Sequence, residues 1–343
     1  MESIIVRAPN WLGDAIMALP VFPALREKFP RTRLAVACRE NLRDVFAAAP
    51  EIDEVIGVPR GNGALLRHAW NLRARRFDLG ILLTNSFATA AWLRLAGVRR
   101  RIGYARDGRG FLLTDAVMAT PFLLAAHQAE YYFALLRECG IDTPLGMPRL
   151  TLPPEAHAEA EAYLKRENPA GRPFAVVAPC SAFGAVKDWA PERYAAVARE
   201  LAAQRQLDVF VTGVADQNPV IASICGNGDS TEKDAPRVIN AAGALSLFGL
   251  FALIRRAAVF IGGDSGAAHA AAAVNTPVVV IFGITEPSRT RPLGNTEKIR
   301  VLGEGGMETP DLRSPAVAAA ARRALNAITP ENVLKAAGEI LAT

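Results

Sequence analysis

The chain predicts an α/β protein of two doubly wound, Rossmann-like domains, and three observations carry that prediction. Short apolar runs alternate with longer helical patterns from end to end, as parallel strands alternate with crossover helices. The length of 343 residues exceeds one typical domain, and a hydrophobic content of 51% is enough for two cores. Near the middle, Leu150 to Pro173 carries Pro153, Pro154, Pro169 and Gly171 around a short amphipathic helix, Glu155–Arg166. That stretch reads as the interdomain connection, with a first domain expected over 1–165 and a second domain over 166–343.

In the first half the strands fall at Ile4–Arg7, Leu34–Cys38, Glu54–Val58 and Leu79–Leu83. Helical segments such as Ala15–Lys28 and Leu42–Ala49 lie between them. In the second half the strands fall at Phe174–Ala178, Asp208–Thr212, Val238–Asn240, Val259–Gly262 and Pro277–Phe282. Helices follow at Pro191–Gln204, Ser246–Arg256 and Ala267–Val274. Pro191 followed by Glu192 is a helix start signal, because proline lacks the N–H that the first turn leaves unused. Two Ala-rich helices, Pro315–Ile328 and Pro330–Leu341, close the chain.

Composition narrows the classes. Lys and Arg number 39 against 34 Asp and Glu, a net charge of +5. Arginines cluster at Arg73, Arg75 and Arg76, and again at Arg99, Arg100, Arg101, Arg106 and Arg109. A basic surface of this kind suits an anionic partner. No nucleic-acid-binding motif accompanies it, so no nucleic acid is expected. The four cysteines, Cys38, Cys139, Cys180 and Cys225, are far apart and without a CxxC, which suggests neither a zinc site nor a disulfide framework. The N-terminus has no basic region followed by a long apolar one, and no run of about 18 apolar residues occurs. A cytosolic protein is expected, one that touches a membrane surface.

The most informative motif is Gly263-Asp264-Ser265-Gly266-Ala267-Ala268-His269. It joins an apolar strand to an Ala-rich helix. Such a junction presents unpaired backbone N–H groups at the positive end of the helix dipole, a natural place for a phosphate. Two further loops follow strands and precede helices: Ala8 to Asp14, which contains Asn10, and Pro179 to Trp189, which contains Ser181 and Lys187. In doubly wound sheets ligands bind outside the carboxyl ends of the strands, so all three loops are candidate binding loops, expected to face each other across a cleft. None carries GxGxxG or GxxxxGK[ST], which disfavours a hydride-transferring Rossmann enzyme and a P-loop ATPase.

Three of these segments resemble a known family. Arg7-Ala8-Pro9-Asn10-Trp11-Leu12-Gly13-Asp14-Ala15 through Pro20 is similar to the N-terminal signature of the ADP-heptose:lipopolysaccharide heptosyltransferases. Lys187-Asp188-Trp189-Ala190-Pro191-Glu192 resembles their Lys-x-Trp segment, and Gly263 to His269, continuing through Thr276 to Pro287, resembles their donor-site segment. Arg100-Arg101-Ile102-Gly103-Tyr104 and His127-Gln128-Ala129-Glu130-Tyr131 have family counterparts as well. The similarity covers nearly the whole chain and is greatest to the heptosyltransferase II branch.

The resemblance implies a GT-B fold, two Rossmann-like domains facing across a central cleft, with the final helix packing back on the first domain. It implies inverting transfer of a heptose from ADP-heptose to an anionic glycolipid, the lipopolysaccharide inner core, at a membrane surface, with no cofactor and no bound metal. Such chemistry needs a base for the acceptor proton and fixed positive charge for the leaving diphosphate. By resemblance Asp14 is the base and Lys187 neutralises the diphosphate. Ser181, Lys187, Leu245, Asp264, Ser265, Gly266 and His269 surround the donor, and Asn10, Arg100 and Arg101 take the acceptor. The chain departs from the branch at Gly303–Ala320, which lacks the Cys-rich segment common there. Another nucleotide sugar, another surface glycan, or a non-catalytic sugar-nucleotide-binding role remain open alternatives.

Overall fold

The computed structural model describes residues 1–182, 184–226, 235–306 and 314–342. The chain forms two compact units, Met1–Leu150 and Thr151–Thr343. Among the described residues each unit is built on a six-stranded parallel sheet.

The first sheet contains β1 (Ser3–Arg7), β2 (Arg33–Cys38), β3 (Glu54–Gly57), β4 (Leu79–Leu82), β5 (Arg100–Tyr104) and β6 (Asp115–Val117). Its order is β3-β2-β1-β4-β5-β6. The second contains β7 (Phe174–Ala178), β8 (Asp208–Val211), β9 (Val238–Asn240), β10 (Val259–Gly263), β11 (Val278–Ile281) and β12 (Ile299–Leu302), in the order β12-β11-β10-β7-β8-β9. Both are the same doubly wound topology, with the strand order reversing beside the unit's first strand. The central strands are buried on both faces, as helices cover each side of the sheet. They accordingly read as continuous apolar runs: Ile4, Ile5 and Val6 in β1, Val278 to Ile281 in β11.

The expected strands all form, and β5, β6 and β12 add to them. Their sequences hide them for a physical reason. β5 opens with two arginines, β6 is a three-residue edge strand with no buried residue, and β12 is half-buried throughout. Edge strands bury too little to need an apolar run. The helix expected over Ala15–Lys28 is two helices, Leu12–Met17 and Val21–Lys28. Pro20 separates them, since proline lacks an amide donor and pushes the residue before it out of the helical region.

The division between the units falls at Leu150, not at residue 165. The helix Pro154–Glu167 packs along Leu247–Arg256 of the second unit, and Glu159 accepts a hydrogen bond from the Ser246 amide at 2.7 Å. The last helix, Pro330–Leu341, lies on the second unit's own sheet, against β10, β11, β12 and the helix Pro191–Arg205, and buries Val333, Ala336, Ala337 and Ile340. All four cysteines are free thiols, each pushed up to about 11 by burial. No helix among the described residues is long and apolar enough to cross a membrane.

Candidate active site

In the first unit the candidate residues gather where β1 ends. The register pairs Arg7 of β1 with Ala37 of β2 and Leu82 of β4, so the carboxyl ends of these three strands are level. The chain leaves β1 through Ala8–Asn10 and enters the helix Leu12–Met17, whose N-cap is Trp11. Asp14 therefore lies inside the first turn and does not cap the helix, as a start at Ala15 would have made it do. Its half-buried carboxylate accepts a hydrogen bond from the Tyr132 hydroxyl, Oδ1 to Oη 2.9 Å. Tyr132 comes from the helix Gln128–Ala134 and is only 5% exposed. Burial, then the charge of Asp14, holds its hydroxyl well above the ordinary tyrosine range, so it remains a donor.

Asn10 is fixed by two cations. Its Oδ1 accepts from Arg7 Nη2 at 2.6 Å and from Arg39 Nε at 3.1 Å. Arg7 is buried, and burial followed by the nearby Arg39 lowers it to about 10, still cationic at neutral pH. His127 Nδ1 accepts from the Ala129 amide at 3.2 Å and starts the helix that carries Tyr132.

Arg100 and Arg101 are not brought to this edge. Register places them opposite Leu79 and Gly80, at the amino end of the sheet. Arg100 is bound to Asp115 at 2.6 Å and to the Glu138 carbonyl at 2.7 Å. Arg101 donates to the carbonyls of Leu112 at 2.7 Å and Val98 at 2.5 Å. Arg109, read in sequence as part of an exposed basic cluster, is fully buried. Its guanidinium donates to the carbonyls of Tyr104, at 2.9 Å, and Thr84. Each of these guanidiniums is held by backbone carbonyls, which accept readily from a cationic donor.

In the second unit the centre is an ion pair. Lys187 Nζ lies 2.5 Å from Asp264 Oδ2, and both side chains are largely buried, 13% and 8% exposed. Thr285 Oγ1 donates to the same carboxylate oxygen at 2.9 Å. Asp264 directly follows β10, Lys187 follows the turn Gly184–Val186 beyond β7, and Thr285 follows β11, so three adjacent strands converge on one point. The loop after β7 is braced by the Ser181 amide, which donates to Asp188 Oδ1 at 2.7 Å. Burial raises the Asp188 carboxyl. Trp189, fully buried, anchors the loop through Nε1 to the Ile328 carbonyl at 3.1 Å.

Ser265 is the backbone N-cap of the helix Gly266–Ala273, whose first turn opens at the same carboxyl edge. Its Oγ is buried and makes no hydrogen bond among the described residues. His269 is buried on that helix. Leu245 lies after β9, farther along the same edge. Tyr132, Arg39 and Thr285 were not singled out in sequence. Thr285 stood inside a matched segment and Tyr132 directly after one, which was the available signal. Gly305 holds the Thr285 turn: its φ is +71°, and a Cβ there would sit 2.5 Å from the Thr285 carbonyl oxygen. Of the Gly303–Ala320 segment, residues 307–313 lie outside the described residues. Among the described residues no group of three or more His, Cys, Asp or Glu is arranged to hold a metal ion.

The first unit thus presents a carboxylate with one oxygen fixed by a hydroxyl donor. The second presents a buried cation beside a helix N-terminus. The former suits accepting a proton, the latter stabilising a leaving anion. Residues 65–317 match the profile of glycosyltransferase family 9 (heptosyltransferase). The chain is 29% identical over 363 residues to lipooligosaccharide heptosyltransferase 2 of Haemophilus influenzae, with 99% of each chain covered. It is 29% identical over 358 residues to lipopolysaccharide heptosyltransferase 2 of Escherichia coli, covering 99% and 98%. The solved structure of the E. coli ADP-heptose lps heptosyltransferase II superimposes with a TM-score of 0.81 at 27% identity, covering 100% and 99% of the two chains.

Proposed function

The chain belongs to glycosyltransferase family 9, the heptosyltransferases, with its GT-B fold, and on that premise we propose that it moves a heptose from ADP-heptose to the lipopolysaccharide inner core. The observation that supports this most is likeness over the full length to heptosyltransferases of type 2. The acceptor is an anionic, lipid-anchored glycan, and the enzyme works at the inner face of the cytoplasmic membrane.

The reaction is a single displacement with inversion. The acceptor hydroxyl oxygen bonds to the anomeric carbon as the bond from that carbon to the diphosphate oxygen breaks. Asp14 takes the hydroxyl proton. Tyr132, donating to Oδ1, orients the carboxylate toward that proton. ADP leaves with the bonding electrons. Lys187 and the amides opening the helix Gly266–Ala273 stabilise the charge that develops on it. Asp264 and Thr285 hold the lysine side of the site, since Asp264 anchors Lys187 directly. Ser181, Ser265 and His269 line the donor pocket, and Leu245 meets the nucleotide. Asn10, set by Arg7 and Arg39, faces the acceptor. Neither a cofactor nor a divalent metal is needed, because protein groups carry both the proton and the charge.

The test is direct. Purified protein, ADP-heptose and a delipidated inner-core acceptor in excess chelator should release ADP and give an acceptor heavier by one heptose. Thermal-shift stabilisation by ADP, and not by UDP or GDP, is expected alongside, since a ligand that binds only the native state raises its apparent stability. Turnover with a different nucleotide sugar, or none at all, would overturn the reading.

A further inference from the structure

Beyond β6 the first unit carries a segment, residues 118–126, in which no residue is buried. From Ala116 to Ala129 there is no Asp, Glu, Lys or Arg. The sequence Val117-Met118-Ala119-Thr120-Pro121-Phe122-Leu123-Leu124-Ala125 is almost wholly apolar, yet no residue of the helix Pro121–Ala125 is buried. Met118 is 73% exposed and Phe122 82% exposed, the two most exposed large apolar side chains among the described residues. Phe87 and Phe111 form an exposed aromatic pair in the same unit, rings 6.0 Å apart, with Phe87 opening the helix after β4. An exposed apolar segment of this kind marks an interaction surface, since single scattered apolar residues are ordinary and grouped ones are not.

Charge decides the occupant. Met1–Leu150 holds 20 Lys and Arg against 14 Asp and Glu, and Thr151–Thr343 holds 19 against 20. The whole positive excess of the chain therefore resides in the unit that bears the apolar segment. Arg106 is exposed beside it, because the Ala105 amide bonds the Val117 carbonyl at 2.8 Å and brings the two loops together. Asp107 is the acid of that turn. Exposed apolar side chains on the unit that carries the chain's positive excess match an anionic bilayer, which offers an apolar interior under a negative surface.

We infer that the segment Val117–Ala125, led by Met118 and Phe122, docks this enzyme on a bilayer containing anionic lipid. The placement also has a use. The helix Gln128–Ala134 follows within a few residues and carries Tyr132, the partner of Asp14. Docking there keeps the base close to a surface-anchored acceptor. This rests on the lipid-anchored acceptor proposed above.

The test separates the two. Flotation of the full-length parent with phosphatidylglycerol-rich vesicles should show binding at low salt that weakens as salt rises, and less binding to phosphatidylcholine vesicles. The double variant Met118→Ser, Phe122→Ser should lower the bound fraction about tenfold. Its turnover of a delipidated acceptor should remain within about twofold of the parent. Both side chains are exposed, so its melting temperature should match the parent's. A parent that does not float, or a double variant that floats equally well, overturns the docking segment. A parent that sediments as a dimer, made monomeric by the double variant, overturns it too by showing a contact between copies. Failure of the parent to turn over the delipidated acceptor is a separate result and overturns the heptosyl-transfer reading instead.

Discussion

Tyr132 donates its hydroxyl proton to Asp14 across 2.9 Å, from a position 118 residues farther along the chain. The carboxylate that would take the acceptor proton is thereby held by a group that burial keeps protonated. A donor that stays protonated fixes the direction of one carboxylate oxygen, so Tyr132 orients Asp14.

Tyr132→Phe removes that bond and keeps the ring. We expect kcat to fall about tenfold, the weight of one charge-assisted hydrogen bond. A variant with the parent's kcat would separate Tyr132 from the base.

Asp14→Asn keeps size and shape in the first turn of its helix but removes the base. Turnover should drop by at least about a hundredfold, the low end of general-base contributions. ADP binding, followed by thermal shift, should stay near the parent's. Retention of full turnover would end the assignment of Asp14.

Lys187→Ala should cost about 2–4 kcal/mol in kcat/KM for the sugar nucleotide, the scale of one preorganised charge. It also strands Asp264, whose carboxylate is largely buried. The double variant with Asp264→Asn should therefore be more stable than Lys187→Ala alone, as contacting residues do not add. Strictly additive stabilities would mean that the pair does not couple.

Arg100 should act on stability and leave acceptor KM within about twofold, because its guanidinium is spent on Asp115 and lies at the amino end of the sheet. The Arg100 hydrogen bond holds Asp115 below the ordinary aspartate range. That contribution is present above the ordinary aspartate value and is lost as pH falls through the depressed one. Arg100→Ala should flatten this acid limb of stability. At neutral pH it should cost about 0–1 kcal/mol, since the pair is partly exposed. A large rise in acceptor KM with unchanged stability would instead restore Arg100 to the acceptor site.

Local pattern was enough for the architecture and for most of the candidate site. The buried strands β1, β2, β7, β10 and β11 announce themselves as apolar runs, because covering both faces of a sheet demands them. The loops bearing Asp14, Lys187 and Asp264 announce themselves too, as small and polar residues between a strand and a helix. Other features are set by neighbours distant in sequence. Tyr132 meets Asp14 only because the helix Gln128–Ala134 packs on Leu12–Met17, and Thr285 meets Asp264 only because β10 pairs with β11. Arg100, Arg101 and Arg109 look like one basic surface in the sequence. Strand register sends the first two to the far end of the sheet, and burial against backbone carbonyls hides the third. A residue's type limits the bonds it can make, whereas register and packing choose which partner comes within their 3 Å reach.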